Sequence, residues 1–330
     1  MTDAGTTDAR TTDASPTDAS TTDASTTDAS TTDASSTDGG SACEVVTVVN
    51  NGLAVGLTSA YDMPAKTAEA LSYSTCGQKL TFSASKNPAD TVVKLSPTGG
   101  ATQLFGIWAS DTSGHQTSAE TYALIQTQTG PACAPVAIAY SGLVVDVSHG
   151  PVELPAAVID AGSSTRAGCP GASSPLKLSI GISGGTLANS ISLSDKSSAT
   201  TLVTLEVSDG VNSTRVETYV LVQANVTPKT PGACAPAPVA MNGLAVGLPP
   251  SGAAGIPVRS FERGSVDRCS AGGLVRAMRR AGDTTPVDFS ADTIKVSCKD
   301  SGTQIIEYHI RDNNSATTYV ESYALVQGCP

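Results

Sequence analysis

The sequence contains few aromatic residues and no long apolar run. Aromatic residues make up 4% of the 330 positions, and Trp108 is the single tryptophan. A core built mainly from Val, Leu, Ile and Ala suits thin sheet-on-sheet sandwiches better than one large globule. Prolines, glycines and Asn242 interrupt the most apolar stretch, 235–258, so no membrane-spanning segment is predicted. The first residues lack a signal-peptide pattern, and we expect any export signal to lie upstream of Met1.

Basic residues are also scarce. The chain has 19 Lys and Arg against 30 Asp and Glu, a formal net charge of −11. Residues 1–41 contain eight Asp and one Arg and therefore carry −7 of this charge, while the remaining 18 basic and 22 acidic residues give −4. No basic stripe or cluster is present, which predicts that neither nucleic acid nor an anionic membrane surface is a partner.

Motifs typical of catalysis and metal binding are missing. The three histidines, His115, His149 and His309, are widely spaced, and no H-E-x-x-H, H-x-H, G-x-S-x-G or P-loop pattern occurs. The absence of C-x-x-C argues against zinc ribbons and thioredoxin-like redox sites. We therefore predict a protein that is not an enzyme and that has no catalytic residues, bound metal or cofactor.

Residues 1–41 form a low-complexity tract with Asp at every fifth position, from Asp3 to Asp38. Its commonest unit is Thr-Thr-Asp-Ala-Ser, and it contains no Val, Leu, Ile or aromatic residue. Such a segment buries too little apolar surface to offset its chain entropy, so we predict a disordered stalk. At about 3.1 Å per residue, an extended stalk would reach roughly 120 Å at most.

Beyond the stalk the sequence repeats, which predicts three modules at 42–132, 133–233 and 234–330. Each module has an early cysteine followed by an opening motif, which is Asn-Gly-Leu-Ala-Val-Gly-Leu at 51–57 and at 242–248 and looser at 141–147. Each module ends on a closing motif, at Glu120–Gln126, Glu217–Gln223 and Glu321–Gln327. We expect the three glutamates to be exposed at strand starts, and we assign them no role.

Apolar and polar residues alternate before each closing motif, which predicts half-buried antiparallel strands. In the third module Ile306, Tyr308 and Ile310 should face inward, and Glu307 and His309 outward. The corresponding inward positions are Val203, Leu205 and Val207 in the second module and Phe105, Ile107 and Ala109 in the first. A turn led by an aspartate follows each time, so the closing motif supplies the return strand of a hairpin.

About seven short apolar runs per module predict an all-β fold of three tandem Ig-like Greek-key β-sandwich modules. Only 65–71 and 274–280 suggest helices, each of about two turns. The hairpin aspartates, Asp111, Asp209 and Asp312, could bind calcium. Because calcium needs six to eight oxygen ligands, we prefer that each aspartate caps its own turn.

The eight cysteines are regularly placed, which predicts disulfides and hence an oxidising compartment. Similar spacings in each module predict the bridges Cys43–Cys76, Cys133–Cys169 and Cys234–Cys269. Each should stabilise its module by about 3–4 kcal/mol on the loop-entropy estimate. Cys298 and Cys329 are then paired by exclusion.

The third module resembles the hyalin-repeat and PKD-like Ig sandwiches of bacterial cell-surface proteins. The residues that carry the resemblance are Asn242-Gly-Leu, Phe261–Cys269, Val296–Gly302 and Arg311–Asn314. The stalk resembles the Thr-Asp-Ala spacers of bacterial surface lipoproteins. The resemblance implies an exported spacer or adhesion module and no activity. It also suggests the alternative pairing Cys269–Cys298 with Cys234–Cys329, and in a third alternative Cys329 begins a truncated fourth module.

Trp108 is the candidate ligand contact, because alternation places it on the outward face of its strand. It could stack on a sugar ring or cover a neighbouring module. The alternative is a purely structural role, in which Trp108 packs under a loop of its own module. Sequons occur at Asn212, Asn225 and Asn313, and they matter only in a host that glycosylates them.

We therefore expect a non-enzymatic, extracellular or cell-surface protein with a structural or adhesion role, in which three modules form a spacer rod on a flexible stalk. One alternative is a module that binds a surface glycan or protein ligand through Trp108. Another is an accessory region of a larger secreted enzyme. The last is a filament or sheath subunit that self-associates through Cys329 or an unpaired strand edge.

Overall fold

The computed structural model describes residues 43–170, 174–224, 234–268 and 273–329. The predicted disordered stalk, Cys269 and the sequon at Asn225 lie outside these residues. From Ala42 onward the chain forms one compact unit. Among the described residues, no helix is long and apolar enough to cross a membrane.

The described residues form 22 strands and four short helical turns. In the first module the strands are β1 (Val45–Asn50), β2 (Leu53–Leu57), β3 (Tyr61–Pro64), β4 (Tyr73–Ser74), β5 (Thr81–Ser83), β6 (Val92–Leu95), β7 (Thr102–Ser110) and β8 (Gln116–Thr127). In the second they are β9 (Ala137–Tyr140), β10 (Leu143–Asp146), β11 (Val152–Pro155), β12 (Lys177–Ile182), β13 (Ser190–Leu193), β14 (Thr200–Ser208) and β15 (Ser213–Gln223). In the third they are β16 (Val239–Met241), β17 (Leu244–Gly247), β18 (Ala253–Pro257), β19 (Val275–Arg280), β20 (Thr293–Ser297), β21 (Gly302–Arg311) and β22 (Thr317–Gln327). The helical turns are Ala65–Ala68, Ala156–Ile159, Val258–Ser260 and Cys298–Asp300.

Neither of the two helix candidates forms a helix of two turns. Residues 65–71 contain only the single 3-10 turn Ala65–Ala68, and residues 274–280 contain strand β19. β19 forms because it pairs with β21 along its whole length, from Val275 opposite Arg311 to Arg280 opposite Ile306. These sheet hydrogen bonds override a local helix preference that two turns alone cannot sustain.

Each module is a sandwich of one large and one two-stranded sheet. The predicted final hairpins are present as β7–β8, β14–β15 and β21–β22. The inward positions Ile107, Leu205 and Tyr308 are fully buried, as their alternation predicts. The small sheets are β3–β6, β11–β13 and β18–β20. The all-β fold of three Ig-like sandwich modules is confirmed.

The modules exchange their first strands in a closed cycle. β9 of the second module pairs with β2 of the first. β16 of the third module pairs with β10 of the second. β1 of the first module pairs with β17 of the third, at the other end of the chain. The expectation of a rod is therefore wrong, because the third module docks back on the first and closes a ring.

The hydrophobic cores cross the module boundaries for the same reason. Val46 and Val48 of β1 belong to the cluster that contains Tyr308 and Phe261 of the third module. Ile138 of β9 belongs to the cluster around Ile107 in the first module. Each exchanged strand thus buries apolar side chains in the neighbouring core, and the three modules cannot separate without exposing them.

A glutamine at the end of each closing motif joins neighbouring modules. The Gln126 side chain donates to the carbonyl oxygen of Glu217 at 2.6 Å and accepts from its backbone N–H at 2.7 Å. Gln223 makes the same pair of bonds with Glu321, and Gln327 with Glu120. The three glutamates are exposed as expected, but they lie within their strands and receive the neighbour's glutamine through their main chain.

The opening motif forms the contacts of each module with the preceding one. Asn51 donates to the hydroxyl of Tyr323 at 2.9 Å, and Asn242 donates to that of Tyr219 at 2.9 Å. In the second module Ser141 stands in place of this Asn, and its hydroxyl lies 3.5 Å from the hydroxyl of Tyr122. Gly52 is required here because its φ is +104° and a Cβ would lie 2.4 Å from the Tyr122 ring.

Candidate ligand-binding cleft

Each module contributes an acidic turn to the joint with its neighbour. These joint turns are Glu69–Ser72, Asp160–Ser163 and Glu262–Ser265. In each turn the carboxylate accepts a hydrogen bond from the serine N–H, at 2.7, 3.1 and 2.6 Å respectively. The acidic residue of each turn also forms an isolated bridge with its own first strand. The three joints are therefore built alike, which makes their differences informative.

Leu71 breaks this equivalence. The residue before the serine is Gly162 in the second module and Gly264 in the third, with φ of +104° and +121°. In the first module Leu71 takes the same left-handed conformation, with φ of +69°, and its side chain is 47% exposed. A bulky L-residue in this region costs about 1–2 kcal/mol. Burial of the side chain does not offset that cost, so it points to a role at the surface.

The other two joints are closed at this position. A Cβ on Gly162 would lie 3.7 Å from Thr67 of the first module, and one on Gly264 would lie 2.9 Å from Val158 of the second. Thr67 and Val158 each stand two residues before the acidic residue of their own joint turn. The third module has the smaller Ser260 at that position. Arg166 and Arg268 tie these two joints together through the backbone carbonyls of Ser59 and Gly150.

At the joint between the third and first modules a cleft of about 590 Å³ is open instead. Its volume lies within the range of small-ligand sites, about 300–1,000 Å³. The third module contributes most of the wall, including the 281–292 segment, which is longer than its counterparts at 84–91 and 183–189. The lining residues are Leu71, Ser72, Tyr73, Pro257, Val258, Arg259, Leu274, Val275, Arg276, Phe289, Asp292 and Thr293.

The cleft carries polar groups that the fold does not use. Arg259 and Asp292 are exposed, and neither side chain makes an ion pair or hydrogen bond with another described residue. The Tyr73 hydroxyl accepts a hydrogen bond from the Gly255 N–H at 3.0 Å, so its own proton is available. The apolar part of the wall includes Phe289, whose ring is covered by the Arg311 guanidinium at 4.1 Å.

A network of partly buried charged groups supports the wall behind the cleft. Glu262 accepts hydrogen bonds from the Tyr308 hydroxyl and from Arg276 Nε, both at 2.6 Å. Burial alone would raise the pKa of Glu262, but these two bonds hold it below its ordinary value. Arg276 also donates to the Leu274 carbonyl at 2.9 Å, which fixes its side chain in the wall. Since Glu262 neutralises Arg276, the charge left for a ligand comes from Arg259 and Asp292.

Trp108, the candidate ligand contact of the sequence, does not line this cleft. It lies on β7 between Ser83 of β5 and Ser118 of β8. Its side chain is half-buried rather than exposed, while its neighbours Ile107 and Ala109 are buried inward as expected. The structure therefore places Trp108 and the cleft at separate positions on the first module.

Glu307 was expected on an outward face but is only 6% exposed. His309 was expected there too, and this was also wrong. It is 4% exposed, stacks on Tyr319 with ring centroids 4.9 Å apart, and lies 2.8 Å from a Glu307 carboxylate oxygen. Arg279 of β19 reaches the same carboxylate at 2.6 Å. These cross-strand neighbours cover the second face of β21, so alternation loses its meaning there. Burial lowers the pKa of His309, against the opposing effect of Glu307.

The hairpin aspartates cap their own turns. Asp111 accepts from the N–H groups of Ser113 and His115, and Asp209 and Asp312 do the same two to four residues ahead. Among the described residues, no group of three or more His, Cys, Asp or Glu is arranged to hold a metal ion. Asn212 and Asn313 of the described sequons both lie in hairpin turns, and Asn313 is exposed.

Two predicted disulfides are present, Cys43–Cys76 and Cys133–Cys169, with Cα–Cα distances of 5.5 and 5.4 Å. Cys234 is also disulfide-bonded, and its predicted partner Cys269 lies outside the described residues. Cys298 and Cys329 are free thiols. The neighbouring Cys329, together with burial, raises the pKa of Cys298. The two described bridges fasten the first strands of the first and second modules near their joint turns.

No family model matches the chain, and no curated protein matches it. Among solved structures it is similar to an endo-fucoidan hydrolase from glycoside hydrolase family 107, with 15% identity over 76% of this chain, 38% of that chain and a TM-score of 0.18. Sidekick-1 immunoglobulin domains 1–5 match at 12% identity over 88% of this chain and 61% of that one, with a TM-score of 0.18. Mouse clustered PcdhgC3 EC1–3 matches at 11% identity over 84% of this chain and 99% of that one, with a TM-score of 0.18.

Sequence reasoning missed both the joints and the cleft. The repeated Gln126, Gln223 and Gln327 were visible as a conserved end of the closing motif within this chain, but a repeat does not show what its members contact. Leu71 was detectable only as the odd residue in the aligned joint turns, where the other modules have Gly162 and Gly264. That signal becomes meaningful once the positive φ is known.

Proposed function

We propose that this protein is a non-catalytic, extracellular binding protein, in which the ring of three sandwich modules forms one rigid head with a ligand cleft at its closure. The observation that carries the proposal is Leu71, kept in a strained and exposed conformation where the two sister modules have glycine. Backbone strain concentrates at functional sites, where it is part of the mechanism. Here it supplies an apolar side chain to the cleft.

The path of the chain supports display rather than spacing. Thr47 pairs with Gly247, and Gly247 pairs with Gln327, so the first and last strands are separated only by β17. At about 4.8 Å per strand spacing, the folded chain starts and ends roughly 10 Å apart. A spacer needs each module to add length, whereas this ring returns to its starting point.

The disulfides support an extracellular location, since such bridges persist in oxidising compartments. The proposal assigns the protein no catalytic role. Its titratable groups with shifted pKa values, such as Glu262, Asp300 and Glu307, are engaged in ion pairs that hold the third module together. Adhesion and presentation of the cleft on a cell surface belong to the same proposal, with the predicted stalk as the tether.

The test is a ligand screen with a matched pair of arginine variants. Full-length protein, Arg259→Ala and Arg215→Ala are applied to arrays of glycans, peptides and phospholipids. Arg215 is a suitable control because its side chain is 59% exposed and, within the described part of the chain, forms its ion pair with Glu206 of β14 alone. We expect a ligand that binds the wild type and Arg215→Ala and is lost in Arg259→Ala. Identical binding profiles for all three proteins would contradict the proposal.

A further inference from the structure

We propose that the cleft binds a neutral saccharide about one to two sugar rings long. This inference rests on the proposed binding function and names its ligand class. The cleft combines one arginine, one carboxylate and one tyrosine hydroxyl that the fold leaves available with a wall of apolar side chains. A sugar ring presents the matching chemistry, because its hydroxyls lie around the edge and its C–H groups form an apolar face.

The polar groups favour hydroxyls over a charged ligand. Arg259 offers paired N–H donors, which suit two adjacent oxygen atoms. Asp292 offers two acceptor oxygens for O–H donors. Because the two charges are opposite and both line the cleft, their sum gives no preference for an anion or a cation. A neutral ligand that both donates and accepts hydrogen bonds satisfies both side chains at once.

The apolar groups favour a ligand with a flat C–H face over a small polar molecule. Leu71 contributes an exposed aliphatic side chain at the mouth of the cleft, and Phe289 contributes a ring held in place by Arg311. Tyr73 adds a second aromatic ring, anchored by the hydrogen bond from Gly255. Aromatic rings provide large contact areas at low entropic cost, which suits the stacking of a sugar ring.

A purely apolar ligand fits less well, since it would strip water from Arg259 and Asp292 without replacing their hydrogen bonds. A phosphate-bearing ligand would need several cationic or backbone N–H donors. Arg276 is already neutralised by Glu262 at 2.6 Å. Arg259 is then the single arginine left in the cleft to neutralise a phosphate. The chemistry of the wall therefore selects hydroxyl-rich rings.

The experiment is saturation-transfer NMR on the full-length protein with lactose, cellobiose, maltose and chitobiose at millimolar concentration. We expect transfer to the ring protons of at least one of them. Arg259→Ala and Asp292→Ala should each raise the dissociation constant of that sugar roughly tenfold or more, the usual effect of losing a hydrogen bond to a charged group. Leu71→Gly should raise it severalfold, on the order of one buried methylene group. Arg215→Ala should leave it unchanged.

Hydrogen-exchange profiles of the variants check that the ring stays folded. Those of Arg259→Ala and Asp292→Ala should match the wild type, because these two side chains are exposed. Three outcomes would overturn the inference: no transfer to any of the disaccharides, transfer that is lost in Trp108→Ala but kept in Arg259→Ala, or tighter binding of uronic-acid disaccharides by more than tenfold. A peptide or phospholipid whose array binding depends on Arg259, combined with no sugar binding, would overturn the saccharide assignment and leave the proposed function standing.

Discussion

The side chain of Gln327 forms two hydrogen bonds with the main chain of Glu120, a residue 207 positions earlier. Neighbouring modules are joined by the same contact at Gln126 with Glu217 and at Gln223 with Glu321. The joint between the chain's two ends is therefore made in the same way as the joints between consecutive modules. This equivalence is why the folded chain is a ring and why its closing joint can be compared with the others.

Gly247→Ala should open the ring. A Cβ at this position would lie 2.0 Å from the backbone oxygen of Ser118 in the first module, and backbone cannot move aside as a side chain can. We expect a loss of roughly 2 kcal/mol or more in the free energy of unfolding, in the range of overpacked cores. Urea denaturation measures it. Gly273→Ala is the control, because nothing lies within 4 Å of its Cβ. Equal effects of the two substitutions would argue against a closed joint.

Leu71→Gly should stabilise the protein while impairing its cleft. Removing the left-handed leucine relieves up to about 1–2 kcal/mol, and the greater freedom of glycine in the unfolded chain offsets part of that gain. We expect a Tm equal to or above that of the wild type. Leu71→Val should lower the Tm, because a β-branched residue is strained further at positive φ. A Tm of Leu71→Gly below that of the wild type would show that the backbone at Leu71 is not strained.

His309 should make stability sensitive to mild acid. Because burial lowers its pKa, the neutral ring is favoured in the folded state. Its stabilising effect is complete above the ordinary histidine pKa of about 6.5 and is lost as the pH falls below that value. Urea midpoints between pH 7.5 and 5 should fall in the wild type and in His115→Gln, and should change less in His309→Gln. The same slope in all three proteins would exclude His309 as the cause.

Carboxylates control the stability of the protein in a second, more acidic pH range. The hydrogen-bonded ion pair with Arg280 holds the pKa of Asp300 below its ordinary value. Burial would raise the pKa of Glu307, but hydrogen bonds from Arg279 and His309 hold it below its ordinary value. Such groups stabilise above the unfolded pKa of about 4 and lose that effect as the pH falls through the folded value. Asp300→Asn should flatten the acid limb of the unfolding curve below about pH 4. An unchanged limb would show that the pair contributes nothing to stability.

Cys298 and Cys329 should form a fourth disulfide in oxidising medium, because both are free thiols and Cys329 is near enough to raise the pKa of Cys298. On the loop-entropy estimate the bridge adds about 3–4 kcal/mol. Peptide mapping without reductant should recover the linked pair, and Cys329→Ser should lower the urea midpoint only under oxidising conditions. Recovery of Cys329 linked to Cys234 or to a second molecule would contradict this pairing.

The strands and hairpins were predictable because they follow from local patterns. Alternation identified Ile107 and Leu205 as buried, and the turn aspartates marked the ends of β7, β14 and β21. The exchange of β1, β9 and β16 was not predictable, since a first strand has the same short apolar sequence whether it pairs within its module or with a neighbour. His309 was misplaced for a related reason. What covers the second face of a sheet depends on tertiary neighbours such as Arg279 and Tyr319.

The adjacency of Thr47 and Gln327 across β17 also determines how the head responds to mechanical force. Tension applied between its two ends would pass through β1, β17 and β22 and leave the rest of the ring unloaded. The bridge Cys43–Cys76 lies at the start of that path and fastens β1 to its own module. Under a pull the ring would therefore yield first at its closing joint, where the cleft lies, while the sandwiches stay intact.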